Sequence, residues 1–248
     1  MKLSGNTIII TGGGSGIGRE LAFRFHGLGN TIIVAGRRRE ALQETVGGRE
    51  GMFAVEFDVA DPASIEVAAR ALVADHPDLN ILINNAGIMA SEDLSGSRDL
   101  GIAEATVTTN LLGPIRLTNA LIDHLKRRPD SAIINLSSGL ASVPLVSAPT
   151  YSATKAAIHS YTLSLREQLK GQVEVIELIP PGVQTDLTPG QATREGYMPL
   201  DDYIDEVMSL FEIQPTPPEI AVERVKFLRN AEAEGRFEQT FATLNGVR

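Results

Sequence analysis

The sequence predicts an α/β chain of the Rossmann-like, doubly wound kind: a mostly parallel seven-stranded sheet with helices on both faces. Three observations predict it. Short β-branched apolar runs alternate with segments of helical spacing, the pattern of strands joined by crossover helices. The first run, Thr7-Ile8-Ile9-Ile10, meets Thr11-Gly12-Gly13-Gly14-Ser15-Gly16-Ile17-Gly18 before a helical pattern through Leu21, Phe25 and Leu28. No linker, charge block or internal repeat divides the 248 residues, so residues 1–248 are expected to form a single domain.

Strand, glycine loop and helix come in the order a phosphate cradle requires. Glycines let the backbone turn tightly and approach a pyrophosphate, while the free N–H groups and dipole of the helix start favour its charge. The spacing of Gly12, Gly16 and Gly18 lacks the Gly-Lys-Ser/Thr of an ATP-binding loop. A second strand, Thr31 to Ala35, ends at Gly36-Arg37-Arg38-Arg39, where a dinucleotide fold places its adenosine ribose. An acidic residue there would accept from a ribose 2′-hydroxyl, whereas arginine pairs with a 2′-phosphate, so the pattern points to NADP. Arg39 is the candidate for a merely solvated residue.

Met52 to Phe57 makes a third strand, with Asp58-Val59 at its carboxyl end, and Asp61-Pro62 reads as a helix cap and first turn. Ile81 to Ile83 is the fourth strand, running into Asn84-Asn85-Ala86-Gly87; the two amides either tie neighbouring strands or face a ligand. Asp99 to Arg127 is a long helical region interrupted around Gly113-Pro114, with Asn110 at the expected bend, there to hold a water on its carbonyl or to satisfy the kink. Ala132 to Ile134 is a buried strand leading to Ser137-Ser138-Gly139. A helix then begins near Tyr151, placing Lys155 one turn on and on the same face. A cation within ~4 to 6 Å of a phenol favours the phenolate, so Lys155 is expected to lower the Tyr151 pKa and make it usable in proton transfer.

Val173 to Ile179 is a sixth strand, ending at Pro180-Pro181-Gly182-Val183-Gln184-Thr185. The long irregular stretch from about Asp186 to Pro218 is expected to form a substrate flap carrying a helix over Leu200 to Phe211. A last helix over Glu219 to Ala233 and a final strand over Arg236 to Leu244 complete the expected fold. Leu140, Pro144, Met89, Gln184, Met198 and Phe211 are the candidate pocket lining. His26, His76, His124 and His159 show no metal spacing, so no metal is expected, and His159 reads as a packing or surface residue.

Composition narrows the function. Lys and Arg number 22 against 31 Asp and Glu, a net charge of -9 that would repel a nucleic acid or an anionic membrane overall. No apolar run approaches the ~20 residues needed to span a bilayer. The absence of cysteine, and an amino end running straight into a strand, fit a cytoplasmic protein.

Together, Thr11-Gly12 to Gly18, Asn84 to Gly87, Asn110, Ser138, Tyr151, Lys155 and Pro181-Gly182 resemble the short-chain dehydrogenase/reductase family. Ser138 precedes Tyr151 by 13 residues, the spacing that family shows. The resemblance implies hydride transfer between NADP(H) and a small carbonyl or secondary alcohol, with Asn110, Ser138, Tyr151 and Lys155 as a catalytic tetrad. It implies cofactor contacts from Gly12, Gly14, Ser15, Gly16, Ile17 and Gly18. Further contacts would come from Arg37, Arg38, Asp58, Val59, Asn85, Ala86, Gly87, Tyr151 and Lys155, and from Pro181, Gly182, Val183 and Thr185. Substrate would meet Ser138, Leu140, Tyr151 and Gln184. Many relatives form tetramers through a carboxyl-terminal Asp-Gly-Gly, which this chain lacks, so a homodimer through the helix after Asp99 and the Tyr151 helix is expected instead. The carboxyl-terminal region is closer to a bacterial branch labelled after the D-alanyl-lipoteichoic-acid operon. An NAD-dependent dehydrogenase and a non-catalytic NADP sensor are the alternatives.

Overall fold

A computed structural model describes residues 1–247. Seven parallel strands form one sheet in the order β3-β2-β1-β4-β5-β6-β7. They are β1 (Thr7–Thr11), β2 (Thr31–Gly36), β3 (Met52–Glu56), β4 (Leu79–Asn84), β5 (Ala132–Leu136), β6 (Glu174–Ile179) and β7 (Glu219–Ala221). Strand order reverses between β1 and β4, which opens a crevice at the carboxyl ends.

The apolar runs are near-continuous because both sheet faces are covered. On one face Ile8, Ile10, Ile32 and Val34 pack with Leu21 and Phe25 of α1 (Gly16–Gly27). On the other Ile9, Ile33 and Leu82 meet α3 (Pro62–Asp75) and α5 (Gly113–Leu125). Between α1 and α3 lies α2 (Arg39–Val46); α4 (Gly101–Val107) precedes α5, and α6 (Pro149–Gln168) covers β5 and β6. Asp61 caps α3 through the Ala63 N–H at 2.9 Å, with Pro62 in the first turn.

Three expectations change. The interruption before α5 is not a proline kink: Pro114 sits in α5's first turn, and a π-helical turn, Thr108–Leu112, holds Asn110. The carboxyl-terminal strand is β7, three residues only, followed by α8 (Glu223–Arg229); Arg236 to Leu244 is instead covered by α9 (Phe237–Asn245), where Phe237 and Phe241 stack at 6.0 Å one turn apart. The helix expected in a flap, α7 (Leu200–Phe211), buries Tyr203, Ile204, Val207 and Phe211 completely, with Phe211 edge-on to Phe25 at 5.7 Å. It belongs to the core.

Candidate active site

Parallel strands end along one edge, so the loops after them converge, and a cleft of about 510 Å³ opens there. Its floor is the glycine loop: Gly12, Gly14, Ser15, Gly16 and Ile17 line it. Gly12 and Gly16 have φ of 69° and 53°, the left-handed region. Gly18 lies below the cleft and serves packing, since a Cβ there would come within 2.6 Å of the Gly12 carbonyl oxygen. Thr11 Oγ1 accepts from the Asn85 and Ala86 N–H groups at 3.0 Å, and Asn85 Nδ2 donates to Thr11 O at 2.8 Å. These bonds make Asn85, Ala86 and Gly87 a cleft wall. Asn84 turns away and donates to Asn135 Oδ1 at 2.8 Å, joining β4 to β5.

At the outer end stand Arg37 and Arg38, both exposed, and Arg38 donates to Ser15 Oγ at 3.1 Å. Asp58 and Val59 line the same end, beside Phe57, Ala41 and Leu42, whose apolar surface no motif signalled. Arg39 opens α2 away from the cleft. The shape and donors fit a dinucleotide phosphate: a concave glycine floor at a helix start, with two guanidiniums where a ribose would end.

The inner end gathers Ser138, Tyr151 and Lys155. Ser138 Oγ accepts from the Leu140 N–H at 3.1 Å, and Lys155 Nζ donates to Leu136 O at 2.8 Å. The ammonium lies 5.5 Å from the Tyr151 ring centroid, and both side chains are buried. Burial pushes the Tyr151 phenol up to about 12, opposed by its bond with Ser138. Burial also pulls Lys155 down to about 8, opposed by Glu177. The expected direction is therefore reversed: desolvation raises the phenol, and the group opposing that rise is Ser138, not Lys155.

Asn110 does not line the cleft. Its amide is bonded both ways to the Ile88 main chain, Nδ2 to O and N to Oδ1, each at 2.8 Å. Pro181, Val183 and Thr185 line the cleft, while Gly182 lies beneath the Tyr197 ring, 3.1 Å from where a Cβ would stand. Leu140 and Gln184 lie off it, Gln184 donating to the Arg194 carbonyl at 3.2 Å. Of the remaining pocket candidates only Met89 reaches it: Pro144 is exposed, and Met198 and Phe211 are in the core. From the expected flap, Asp186, Leu187 and Gln191 do line the cleft, and Gln191 braces the loop by donating to Val183 O and Thr185 Oγ1. A buried glutamine in a polar loop carries no sequence signal.

The family model described as short chain dehydrogenase matches residues 6–196. An uncharacterized oxidoreductase of Bacillus subtilis (strain 168), DltE, is 36% identical over 99% of this chain and 98% of its own. The NADP-dependent 3-hydroxy acid dehydrogenase YdfG of Shigella flexneri is 30% identical over 71% of each chain. Among solved structures, the 3-ketoacyl-(acyl-carrier-protein) reductase of Brucella melitensis, complexed with NADH, superposes with a TM-score of 0.77 at 25% identity, over 88% of this chain and 94% of that one. With the motif order, the all-parallel sheet and the cleft at its switch point, the chain belongs to the short-chain dehydrogenase family of oxidoreductases.

Proposed function

We propose that the protein is an NADP(H)-dependent oxidoreductase that interconverts a small carbonyl compound and its secondary alcohol in this cleft. The observation that carries the reading is the convergence of Ser138, Tyr151 and Lys155 on the same cleft as the glycine loop and Arg37-Arg38. Relatives differ in cofactor, NADP for YdfG and NADH for the ketoacyl reductase. The chain's own residues favour NADP: position 36 is Gly where an acidic residue would serve a 2′-hydroxyl, and two guanidiniums follow.

When bound, NADP(H) supplies or accepts the hydride. Ser138 positions the substrate oxygen by hydrogen bonding. Tyr151, its phenol raised by burial and so protonated at neutral pH, is set to give that oxygen a proton in the reductive direction, a contribution typically worth about 10² to 10⁴ in rate. Lys155 holds positive charge beside the phenol and limits the cost of forming phenolate. Asn110 fixes the Ile88 segment of the cleft wall through its two bonds to that main chain.

Tyr151→Phe is expected to lower NADPH-dependent turnover at least 100-fold across a carbonyl panel while NADPH binding stays within about twofold. Retained turnover would remove Tyr151 from the chemistry. Full loss of NADPH binding would show the variant to be structural.

We place the enzyme in the cytoplasm as a homodimer. Among the described residues no helix is long and apolar enough to cross a membrane, and Ile102, Val107 and Leu163 expose apolar side chains on α4 and α6. Leu163→Glu is expected to yield monomers in sedimentation, and an unchanged oligomer would move the interface elsewhere.

A further inference from the structure

A row of polar side chains crosses the sheet just beneath the cleft. Asn84 on β4, Asn135 on β5, Glu177 on β6 and Glu219 on β7 stand opposite one another in strand register. Asn84 donates to Asn135 at 2.8 Å, and Asn135 donates to Thr162 of α6 at 3.0 Å. His159 Nδ1, also on α6, lies 2.8 Å from Glu177 Oε2, and Arg229 of α8 grips both oxygens of Glu219 at 2.6 and 3.0 Å. Neutral amides suffice to join strands.

Glu177 is the member that this role does not account for. Its side chain is 1% exposed, and burying a carboxylate is expensive unless opposite charge compensates it. A glutamine could accept the same bond from His159, and the one guanidinium that also feels the Glu177 charge, Arg229, is already paired with Glu219, which leaves the carboxylate's charge room for a second purpose. Lys155 supplies one. It sits one turn before His159 on α6, and its Nζ is fixed on the carbonyl of Leu136, next to the register partner of Glu177.

Building on the reading of Lys155 above, we propose that Glu177, held by His159, is a positioning residue that keeps Lys155 an ammonium at the buried inner end of the cleft. The two groups form no ion pair, so the effect acts through space in a poorly screened interior. Burial pulls Lys155 down to about 8, and Glu177 is the group opposing that fall. Among the described residues the neighbouring carboxylate is Glu219 on β7, and it is paired with Arg229, which also feels Glu177. On α6, Tyr151 and His159 flank Lys155, and Arg166 is spent on the Val175 and Pro218 carbonyls. From β5 only Asn135 and the Leu136 carbonyl face this region.

His159, Glu177 and Glu219 also lie close enough together to suggest a cation cup. Arg229 already pairs with both oxygens of its Glu219. His159, expected to pack or face solvent, is half-buried with its Nδ1 on the Glu177 carboxylate.

The test is the titration of Lys155 itself. The chain has five lysines, so lysine-selective ¹³Cε NMR can follow each, with the Lys155 signal assigned by its loss in Lys155→Met. In the wild type that signal should titrate near pH 8. In Glu177→Gln the midpoint should fall by about one unit, a tenfold loss of proton affinity, at the low end for a nearby opposite charge because the groups do not touch. Glu177→Asp keeps the charge but withdraws it by one methylene, and should shift the midpoint the same way by less. It provides the readout if the glutamine variant fails to fold. The pH at which kcat/KM for reduction falls should move down in parallel. An unchanged Lys155 midpoint in either folded variant overturns the proposal, whatever Tyr151→Phe does to turnover. A shifted midpoint with full activity in Tyr151→Phe would instead fault the catalytic reading and leave the Glu177 field established.

Discussion

Truncating Arg38 to alanine should separate the two nicotinamide cofactors. Arg37, Arg38 and Lys155 are the cations among the described residues lining the cleft, and only the first two stand at the ribose end. A hydrogen bond from guanidinium to phosphate contributes about 1.5 to 3 kcal/mol. Both arginines are exposed and open to salt over a Debye length of ~10 Å at 0.1 M, so the lower figure applies. Since about 1.4 kcal/mol is tenfold in affinity, Arg38→Ala should raise the Kd for NADPH about tenfold and leave that for NADH within about twofold. The lost contact to Ser15 Oγ is an exposed one and should not disturb the loop. Removing Arg37 as well should cost less than another factor of ten, because both side chains would share one phosphate and the survivor adjusts. Arg37→Asp should do more than Arg37→Ala, adding repulsion of the phosphate and an acceptor for a ribose hydroxyl. Cofactor fluorescence titrations at two salt concentrations read all of this. An NADPH-to-NADH affinity ratio unchanged in Arg38→Ala would refute the reasoning and return the cofactor to NAD.

Phe211→Ala should cost about 3 to 5 kcal/mol in urea unfolding, because a fully buried ring packed on Phe25 leaves a cavity; a detachable flap would lose almost nothing. The pH dependence of stability follows from two opposed shifts. Lys155 falls to about 8 in the fold from an ordinary 10.5, so between those values the unfolded chain binds more protons and stability rises with pH. Tyr151 rises to about 12 from 10, so from about pH 10 upward the folded chain binds more protons and stability falls. Lys155→Met should accordingly be more stable than wild type at pH 7, with the gap narrowing by pH 9.5; a constant gap would show that the lysine is not desolvated.

The parts legible in the sequence are those written in short-range periodicity. Thr7 to Ile10 followed by the glycine loop could only be a strand entering a tight turn, and Tyr151 with Lys155 had to share a helix face. The mistaken carboxyl end has a physical reason. Glu219–Ala221 is too short for a period to show, and it becomes a strand because β6 offers a free edge. Phe237, Phe241 and Leu244 have β-forming neighbours, yet their spacing also suits one helix face, and the helix prevails. The pattern around Asn110 signals a bend, but the bonds that fix its amide come from Ile88, 22 residues away. The Tyr151 shift runs opposite to the expectation because spacing reveals the neighbouring cation but not the burial of the phenol, which dominates.

The helix that carries Tyr151 is held by polar contacts along its length, and that bears on how the site keeps its geometry. Along its sheet-facing side Lys155, His159, Thr162 and Arg166 recur at helical spacing, and each meets β5 or β6: the Leu136 carbonyl, Glu177, Asn135 and the Val175 carbonyl. Its amino end is fastened separately, with Glu92 accepting from the Thr150 N–H at 3.1 Å and hydroxyl at 2.8 Å. Apolar burial is proportional to area and indifferent to direction, so a helix held by it alone can turn or slide by fractions of a residue at little cost. Hydrogen bonds weaken steeply with angle. A rotation of α6 large enough to swing the phenol away from Ser138 would strain several of these bonds at once. Helix rotation, and with it the relation of Tyr151 to Lys155, is thus set by the same polar residues that would be the least favourable choice for stability alone.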